Sequence, residues 1–446
     1  MLKDAWTLAI ETLSWIELQR LGERLALNKA TKKLRIKDYK AVGLAHRLVS
    51  ETLRRKNVID FLLNSVMAPK SLNDLKLGPQ AFLRLYTYET KLANGNLDHA
   101  TKIARMGRSI LGWWNLKDAE EVLGEILSID TEAALKGLEE TGKIGLQTYN
   151  PTWFVKYCFK LLGRAEALKF LEKSVDIPPV YVRLNTLKAP EETLLKKIEA
   201  EKTVLEKVQP LKHTYRLSET KKPLTRINSF TQGLFYIQDK ASCLAAEIAD
   251  PQPGDMVLDL CAAPGAKTTY LAQLMENKGR IVSVDYSERR MEVWERETER
   301  MGVNIAESMV ADARKPLPIT VSSDLVILDP PCTSTGTFGK TPDAKWRLTK
   351  RSILGMAKIQ SEMIDLCADY VKEGGFLVYS TCSITLEENE LVIGNFLKMH
   401  PEFKPASTKP RIGLPGLRGL TKCQRLYPHI HDCNGFFVAK LQKEKA

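Results

Sequence analysis

Met256–Thr268 has the sequence MVLDLCAAPGAKT, an apolar run followed by a loop of small residues. A short apolar run of this kind is typical of a buried strand in a parallel sheet. Two later runs end in cysteine motifs: LVIL at 325–328 precedes Asp329-Pro-Pro-Cys332, and GFLVY at 375–379 precedes Ser380-Thr-Cys382. Because the carboxyl ends of parallel strands open onto the ligand crevice of an α/β sheet, we expect the three strand ends to meet at one site.

The length of 446 residues predicts two or three domains. Apolar residues at helical spacing predict an α-helical domain over residues 1–165. Residues 166–235 combine an alternating strand pattern with a Glu/Lys-rich helix pattern, which predicts a small α+β linker domain. Over residues 236–446 strand and helix patterns alternate, which predicts a Rossmann-like α/β domain with a doubly wound parallel sheet.

The positive charge of the chain is concentrated in its first 250 residues. Of the net charge of +12, +5 falls on residues 1–150, +5 on residues 151–250 and only +2 on residues 251–446. A polyanionic partner held by the N-terminal half would explain this distribution. Solvated surface lysines explain it equally well, so the charge gains meaning only together with the chemistry of the motifs.

Several classes of protein are disfavoured by composition. The sequence has no run of about 18 apolar residues, the length that a membrane span needs. Its first residues lack the apolar core of a secretory signal. The eight cysteines are scattered without CxxC pairs or zinc-type spacing. We therefore expect a reduced, cytoplasmic protein that binds neither membrane nor metal, and we expect it to be a monomer.

The loop Asp259–Thr268 lies between the first strand and a helix predicted over 269–275, where backbone N–H groups and the helix dipole face a polar ligand. Its single glycine, Gly265, disfavours a dinucleotide, because close approach of a pyrophosphate needs more glycine. A Walker phosphate loop is absent from it as well. The next strand ends in Asp285, where a carboxylate accepts both ribose hydroxyls of an adenosine, and a later strand delivers Asp312 to the adenine edge.

A lone aspartate at a strand end is often only a helix cap, but three of them around one loop of small residues favour S-adenosylmethionine as the cofactor. Cys261 within this loop is also expected to serve as a packing residue. The predicted cofactor-binding residues are Cys261, Ala262, Ala263, Pro264, Gly265, Ala266, Lys267, Asp285, Arg290, Asp312 and Asp329.

Taken together, the loop at 259–268, the DPPC motif at 329–332 and the STC motif at 380–382 resemble the Sun/Nop-type RNA (cytosine-5) methyltransferases. The N-terminal helical part is similar to the NusB-like domain of bacterial ribosomal RNA methyltransferase B. Further segments that resemble the family are PPVYVRLNT at 178–186, YIQDKAS at 236–242, DAKWR at 343–347, EENE at 387–390, RLYPH at 425–429 and DCNGFF at 432–437. Ala266 stands where the family usually has a second glycine. Pro330 stands where many members have alanine, and in this it is similar to an archaeal-type member.

The resemblance implies S-adenosylmethionine-dependent formation of 5-methylcytosine in RNA, ribosomal or transfer. It assigns Cys382 as the nucleophile that adds to C6 of the cytosine, and Cys332 as the group that assists product release. Asp329 would hydrogen-bond N3 and the amino group of the base. Lys267 would lie near the substrate or the carboxylate of the cofactor. A thiol has a pKa of about 8.5, so the site must lower the pKa of the nucleophile.

Other functions remain open at this point. A DNA cytosine-5 methyltransferase uses the cysteine of a Pro-Cys motif as nucleophile and would leave Cys382 idle. An amino-methylating enzyme would need an aromatic residue in place of Cys332. A non-catalytic RNA-binding or ribosome-assembly factor could keep the fold, although it has no use for both cysteines. A basic cluster in the helical part is a candidate RNA contact, with a solvated face as the equal alternative; it consists of Arg47, Arg54, Arg55 and Lys56.

Overall fold

A computed structural model of the chain describes residues 1–93, 95–320 and 322–445. The chain divides into two units. The first consists of Met1–Asp176 and of Phe338–Arg347, which we call the returning segment. The second consists of Ile177–Thr337 and Leu348–Ala446. The three predicted domains, with boundaries near residues 165 and 235, stay a prediction.

The helices of the described residues have the following bounds: α1 Leu2–Gln19, α2 Glu23–Leu34, α3 Tyr39–Arg54, α4 Lys56–Met67, α5 Leu77–Thr87, α6 Leu97–Leu111, α7 Trp113–Ser128, α8 Thr131–Ala134, α9 Glu140–Gln147, α10 Thr152–Leu162, α11 Arg164–Lys173, α12 Glu191–Ala200, α13 Asn228–Thr231, α14 Lys240–Ala249, α15 Ala266–Leu274, α16 Glu288–Met301, α17 Ala344–Arg347, α18 Lys350–Tyr370, α19 Glu390–Met399 and α20 Pro428–His431. Short 3-10 turns lie at Leu72–Asp74 and Leu224–Arg226, and a π-turn at Tyr88–Leu92.

The strands are β1 Tyr181–Leu184, β2 Thr203–Lys207, β3 Thr214–Thr220, β4 Phe235–Ile237, β5 Met256–Leu260, β6 Arg280–Asp285, β7 Ala306–Val310, β8 Ser323–Leu328, β9 Val371–Thr381, β10 Phe403–Pro405, β11 Leu414–Pro415, β12 Gln424–Leu426 and β13 Phe436–Lys443. All of them belong to the second unit. The first unit is helical in its described part, as the spacing of its apolar residues predicts.

The core of the first unit forms around Phe82 on α5. Its ring lies 6.1 Å from the ring of Trp6 on α1 and 6.1 Å from that of Tyr86, measured between centroids. Gly107 on α6 passes so close that an added Cβ would lie 2.3 Å from the Phe82 ring. Asp38 caps α3 by accepting a hydrogen bond from the backbone N–H of Lys40. The apolar faces of these amphipathic helices therefore build one shared core.

One residue of the basic cluster, Arg54, is internal, which corrects both sequence interpretations of that residue; Arg47 is exposed, and Arg55 and Lys56 are partly exposed. This side chain is buried and donates hydrogen bonds to the carbonyls of Val175 (2.6 Å) and Gly339 (3.0 Å). Lys56 pairs with Glu17 at 3.0 Å. The partners of Arg54 lie 121 and 285 positions away in sequence, so no local pattern could reveal its burial. Arg54 is therefore neither an RNA contact nor part of a solvated face.

The returning segment is anchored in the first unit by two side chains. The Nζ of Lys345 is buried and donates to the carbonyls of Arg54 (3.1 Å) and Tyr149 (2.7 Å). Trp346 donates its indole N–H to the carbonyl of Leu53 at 2.5 Å. Burial lowers the pKa of Lys345 well below its usual value. The role of Lys345 is therefore structural: its hydrogen bonds to two main-chain carbonyls hold the returning segment in the first unit.

In the second unit, β1–β4 form an antiparallel sheet in the order β2-β3-β1-β4. The remaining strands form one large sheet with the order β11-β12-β13-β9-β8-β5-β6-β7, and β10 pairs with β13. The run from β9 to β7 is parallel, as predicted. The prediction is wrong for the C-terminal strands, which are antiparallel, so the sheet is mixed. The chain passes from β12 through the short helix α20 into β13, which runs antiparallel to both β12 and β9.

Helices cover both faces of the large sheet. Residues of α18 and α19 pack on one face, against alternate strand residues such as Leu258 and Val326. Residues of α14 and α15 pack on the other face, against the intervening residues such as Val257 and Leu325. Because both faces are covered, the central strands β5 and β8 carry apolar residues on both faces, which is why their sequence pattern predicted them. Across the described part of the chain, no helix has the length and apolar character that crossing a membrane requires.

We predict that Lys345→Met loosens the returning segment. Leaving buried carbonyls unpaired costs about 1–3 kcal/mol each, so amide protection in the segment should fall at least about tenfold. Hydrogen exchange read by mass spectrometry on the full chain measures this. Lys340 is exposed in the same segment, and Lys340→Met is the matched control that should leave protection unchanged. Equal protection in the two variants would contradict the anchoring role.

Candidate active site

Four strand ends of the parallel part converge in the second unit. β5 leads into the loop at 261–265, and β6 ends with Asp285. β8 is followed by Asp329, and β9 is followed by Cys382. β8 and β9 are neighbours in register, with Leu328 opposite Tyr379, so the residues that follow them lie side by side.

A cavity of about 630 Å³ lies at these strand ends. Nine of the sequence-predicted site residues line it: Cys261, Ala263, Lys267, Asp285, Arg290, Asp312, Asp329, Cys332 and Cys382. Four other predicted residues shape the loop without lining the cavity: Ala262, Pro264, Gly265 and Ala266. In the described part of the chain no cluster of three or more potential metal-ligating side chains occurs.

The loop after β5 depends on one glycine. Gly265 has a φ of 104°, and an added Cβ would lie 3.2 Å from the ring of Trp294. Ala262 also packs against Trp294 and Met291, away from the cavity. The helix α15 begins at Ala266, three residues before the predicted start, because Gly265 reverses the chain directly into it. Lys267 therefore lies in the first turn of this helix.

Asp259 near the end of β5 stabilises the same loop through a buried hydrogen bond. Its buried carboxylate accepts a hydrogen bond from the hydroxyl of Thr268 at 2.5 Å. The indole N–H of Trp294 donates to that hydroxyl at 3.0 Å. Burial raises the pKa of Asp259 to about 7, and the bond from Thr268 only partly offsets this. Asp259 is thus a buried support of the loop.

Two carboxylates on the cofactor side are each fixed by an arginine. Asp285 pairs with Arg290 at 3.0 Å and also accepts from the backbone N–H of Ala263 at 3.3 Å. Asp312 pairs with Arg314 at 2.7 Å. The hydrogen bonds from Arg314 lower the pKa of Asp312 to about 2. Each carboxylate therefore has a set orientation before any ligand arrives.

Asp329 joins the cofactor loop to the cysteine motifs. It forms an ion pair with Lys267 and accepts a hydrogen bond from the hydroxyl of Ser380 at 3.2 Å. Burial by itself would lower the pKa of Lys267, but the Asp329 carboxylate outweighs it, and the pKa is raised. Lys267 thus remains a cation at the wall of the cavity.

The two cysteines are in direct contact, with 3.0 Å between the Sγ atoms of Cys332 and Cys382. The hydrogen bond from Cys332 is the main cause that lowers the pKa of Cys382; burial opposes it, and Ser334 and Lys267 support it. The same hydrogen bond, together with burial, raises the pKa of Cys332 well above its usual value. The arrangement therefore favours Cys382 over Cys332 as the sulfur that loses its proton first.

Ser334 is a site residue that the sequence analysis did not identify. Its hydroxyl lies 3.5 Å from the sulfur of Cys382, and it has a left-handed backbone with a φ of 56°. Such a conformation is uncommon in residues other than glycine and is frequent at functional sites. The serine therefore helps to stabilise a thiolate on Cys382.

The C-terminal motif packs against the same loop through two glycines. The N–H of Gly336 donates to the carbonyl of Cys382 at 3.0 Å, and the N–H of Gly435 donates to the carbonyl of Gly336 at 2.8 Å. A Cβ on Gly336 would lie 2.0 Å from the oxygen of Gly435. A Cβ on Gly435 would in turn lie 2.7 Å from the Cα of Gly336 and 2.8 Å from a methyl group of Ile384, which explains the glycine of the DCNGFF segment.

Further cavity residues were also missed: Asp239, Ser242, Tyr286, Ile359, Met363, Asn434 and Phe436. Four of these belong to the YIQDKAS and DCNGFF segments, which the resemblance marked without assigning a role. Tyr286 directly follows Asp285, and an aromatic residue directly after a predicted strand end is a signal that sequence reasoning could have used; the structure shows that it is exposed. The two isolated apolar residues on α18 gave no signal of this kind.

The cavity fits S-adenosylmethionine. Its volume is in the usual range for a ligand of that size. Asp285 and Asp312 both line the cavity, where Asp285 would hold the ribose hydroxyls and Asp312 the adenine edge.

We predict that Asp259→Asn changes the pH dependence of stability. Asp259 has a raised pKa in the folded state, about 7 against about 3.9 unfolded, so its contribution is fully present below the unfolded value and is lost as pH rises through about 7. Asparagine cannot ionise. The variant should therefore gain about 2 kcal/mol relative to the parent between pH 5.5 and 8.5. Calorimetric melting of both proteins in matched buffers measures the difference, and a difference that does not change with pH would refute the assignment.

Comparison with known proteins gives consistent matches. Residues 246–442 match the family model described as 16S rRNA methyltransferase RsmB/F. A Bacillus subtilis protein named as a probable ribosomal RNA small subunit methyltransferase B is 29% identical over 450 residues, which cover 98% of each chain. A Pyrococcus horikoshii tRNA (cytosine(72)-C(5))-methyltransferase is 37% identical over 222 residues, 50% of this chain and 56% of the relative.

Solved structures agree with these matches. The crystal structure of PH0851 has a TM-score of 0.85 and 28% identity, and the comparison covers 100% of this chain and 99% of that one. A methyltransferase homolog from Pyrococcus horikoshii has a TM-score of 0.63 and 31% identity over 69% of this chain and all of its own. NSun6 from the same organism was solved with SFG, an analogue of S-adenosylmethionine; its TM-score is 0.62 at 27% identity, over 66% of this chain and 99% of its own. These matches show that the chain belongs to the RsmB/F family of S-adenosylmethionine-dependent RNA cytosine-5 methyltransferases.

Proposed function

We propose that this chain forms 5-methylcytosine in small-subunit ribosomal RNA, with transfer RNA as the second candidate substrate. The Bacillus subtilis relative carries the first substrate in its name, and the Pyrococcus horikoshii relative carries the second. The first of them matches nearly the whole chain, which favours ribosomal RNA. The observation that carries the proposal is the pair of thiols 3.0 Å apart in a cavity shared with Asp329 and the cofactor loop.

Cys382 acts as the nucleophile. C5 of cytosine is too electron-poor to attack a methyl group, and addition of a thiolate at C6 turns C5 into an enamine carbon. The hydrogen bond from Cys332 lowers the pKa of Cys382, which favours the thiolate form of the nucleophile. S-adenosylmethionine supplies the methyl group when bound. The bond between the sulfur of Cys382 and C6 forms before this transfer, and it consumes the thiolate.

Cys332 acts in the second half of the reaction. While Cys382 carries the charge, the hydrogen bond and the repulsion between the two sulfurs keep the pKa of Cys332 high. Once the sulfur of Cys382 is bonded to carbon, these two causes are gone, and Cys332 ionises more easily. It then takes the proton from C5, directly or through water, so that the C6–S bond breaks and the product leaves.

Asp329 and Lys267 hold the other edge of the base. Asp329 accepts a hydrogen bond from the exocyclic amino group, and from N3 when N3 carries a proton; its own orientation is fixed by Lys267 and Ser380. The positive charge of Lys267 offsets negative charge that builds on the ring when the thiolate adds. Because these groups are oriented before the reaction, little reorganisation is needed at the transition state.

In this proposal the first 250 residues bind the RNA. They carry +10 of the net charge of +12, which suits a polyanion. We assign residues 1–165 as a NusB-like RNA-binding domain and residues 166–235 as the linker domain, ahead of the catalytic domain at 236–446. The target cytosine must be unpaired or flipped out, since C6 is attacked face-on, at a cost of a few kcal/mol.

The alternatives make different use of the cysteines. A DNA cytosine-5 methyltransferase would use Cys332 as nucleophile, but its pKa is raised while that of Cys382 is lowered. A non-catalytic assembly factor would bind RNA with a steep salt dependence and transfer no methyl group. Neither alternative accounts for the paired thiols beside the Lys267–Asp329 ion pair.

We predict methyl transfer from labelled S-adenosylmethionine to RNA that lacks cytosine-5 methylation. The label should appear on 5-methylcytosine in a single RNA species, and DNA of identical sequence should remain unlabelled. RNA still assembled with ribosomal proteins is tested alongside naked RNA, because the substrate form differs among RNA-modifying enzymes. Cofactor binding without label on any of these RNAs would favour the assembly-factor alternative.

We also predict that replacing each cysteine blocks a different step of the reaction. Cys382→Ala should abolish turnover, because no thiolate adds to C6. Cys332→Ala should still form the covalent adduct but should release it slowly, so RNA and protein migrate as one slow band on a denaturing gel. The double variant is the control and should show no band. A band with Cys382→Ala would reverse the two roles.

A further inference from the structure

Glu388 lies at the centre of a buried network directly behind the two cysteines. Its carboxylate has no exposed surface and accepts hydrogen bonds from five donors. Thr333 donates its backbone N–H at 2.8 Å and its hydroxyl at 2.5 Å. Ser383 and Thr385 donate their hydroxyls at 2.6 Å each, and Gln360 donates its amide at 3.1 Å.

These donors come from three separate pieces of the second unit. Thr333 follows Cys332, and Ser383 follows Cys382, so one carboxylate is bonded to the immediate neighbour of each cysteine. Gln360 on α18 also donates to the carbonyl of Pro331 at 2.9 Å and ties the helix to the same loop. A carboxylate can only accept, whereas all of its partners here donate. The network is therefore matched to an acidic side chain.

We propose that Glu388 is a positioning residue that holds the loops of Cys332 and Cys382 in register for the methyl transfer; this rests on the proposed function. The distance between the sulfurs depends on two loops that are fifty residues apart in sequence, and Glu388 bonds both of them at once. It touches neither substrate nor cofactor, since it lies outside the residues that line the cavity.

Glu388 also acts through its charge. The carboxylate is close enough to raise the pKa of Cys332, adding to the larger effects of Cys382 and of burial. Without it the thiol of Cys332 would ionise more readily, and the loss of the bonds to Thr333 would misalign its hydrogen bond to Cys382. Both changes shift negative charge from Cys382 to Cys332, which places the thiolate on the sulfur that does not add to C6.

Alkylation of the full chain by iodoacetamide tests this without RNA, because iodoacetamide reacts with thiolates. Trypsin separates the two cysteines, since Lys340 and Lys372 lie between them, and mass spectrometry counts the label on each peptide. In the parent protein we expect at least about tenfold more label on Cys382 than on Cys332. Glu388→Gln should reduce that ratio at least about threefold, with unchanged affinity for S-adenosylmethionine.

The matched control is Glu247→Gln. Glu247 is also a buried, hydrogen-bonded carboxylate of the second unit, but it bonds Tyr270 and lies outside the cavity. It should lower stability without changing the labelling ratio. Buried cysteines serve as internal reporters of folding and should stay unlabelled in every variant: Cys158, Cys243, Cys367, Cys423 and Cys433.

An unchanged ratio in folded Glu388→Gln protein would overturn the proposal. If the buried cysteines of that variant become labelled, Thr333→Val decides instead, because it removes only the hydroxyl donor and keeps the carboxylate. It should shift the ratio in the same direction by a smaller factor, and an unchanged ratio in it overturns the proposal as well. The readout needs no methyl transfer, so a wrong substrate assignment and a wrong role for Glu388 give different results.

Discussion

Two thiols whose sulfur atoms are 3.0 Å apart in a buried site can hold only one negative charge between them. The remaining features of the site decide which sulfur carries it. Ser334 and Lys267 lie on the side of Cys382 and favour the thiolate there, whereas Glu388 lies behind Cys332 and disfavours it. One thiol is therefore prepared to attack a carbon, and the other is kept protonated until the first has reacted. The division of labour between two identical side chains follows from this electrostatic asymmetry.

The sheet makes this contact possible. β8 and β9 are adjacent and parallel, so the residues that follow them leave the sheet at the same edge. The Lys267–Asp329 pair then joins that edge to the cofactor loop after β5. β13 adds the C-terminal motif from the other direction, and the Gly336–Gly435 approach fixes the loop of Cys332 against it. Parallel strands thus deliver the reacting groups, and an antiparallel strand holds them in place.

Much of this could be predicted from sequence because its signals are local. Continuous apolar runs revealed the parallel strands, and short motifs at their ends revealed the groups that line the cavity. The missing parts depend on contacts between distant residues. Thr333 and Glu388 are 55 positions apart, and Lys345 reaches Tyr149 across 196 positions. Patterns of period two or 3.6 carry no information about such pairs, so the buried network, the anchored returning segment and the burial of Arg54 could not be predicted.

The central claim is that the thiolate resides on Cys382 when the base arrives. The most direct measurement uses the unmodified protein, S-adenosylmethionine and an RNA whose target position is 5-fluorocytidine. Fluorine at C5 cannot leave as a proton does, so the adduct persists after methyl transfer. Trypsin and nuclease digestion followed by mass spectrometry then identify the cysteine that carries the nucleotide. The account predicts the methylated nucleotide on the peptide of Cys382, and its appearance on the peptide of Cys332 would contradict it.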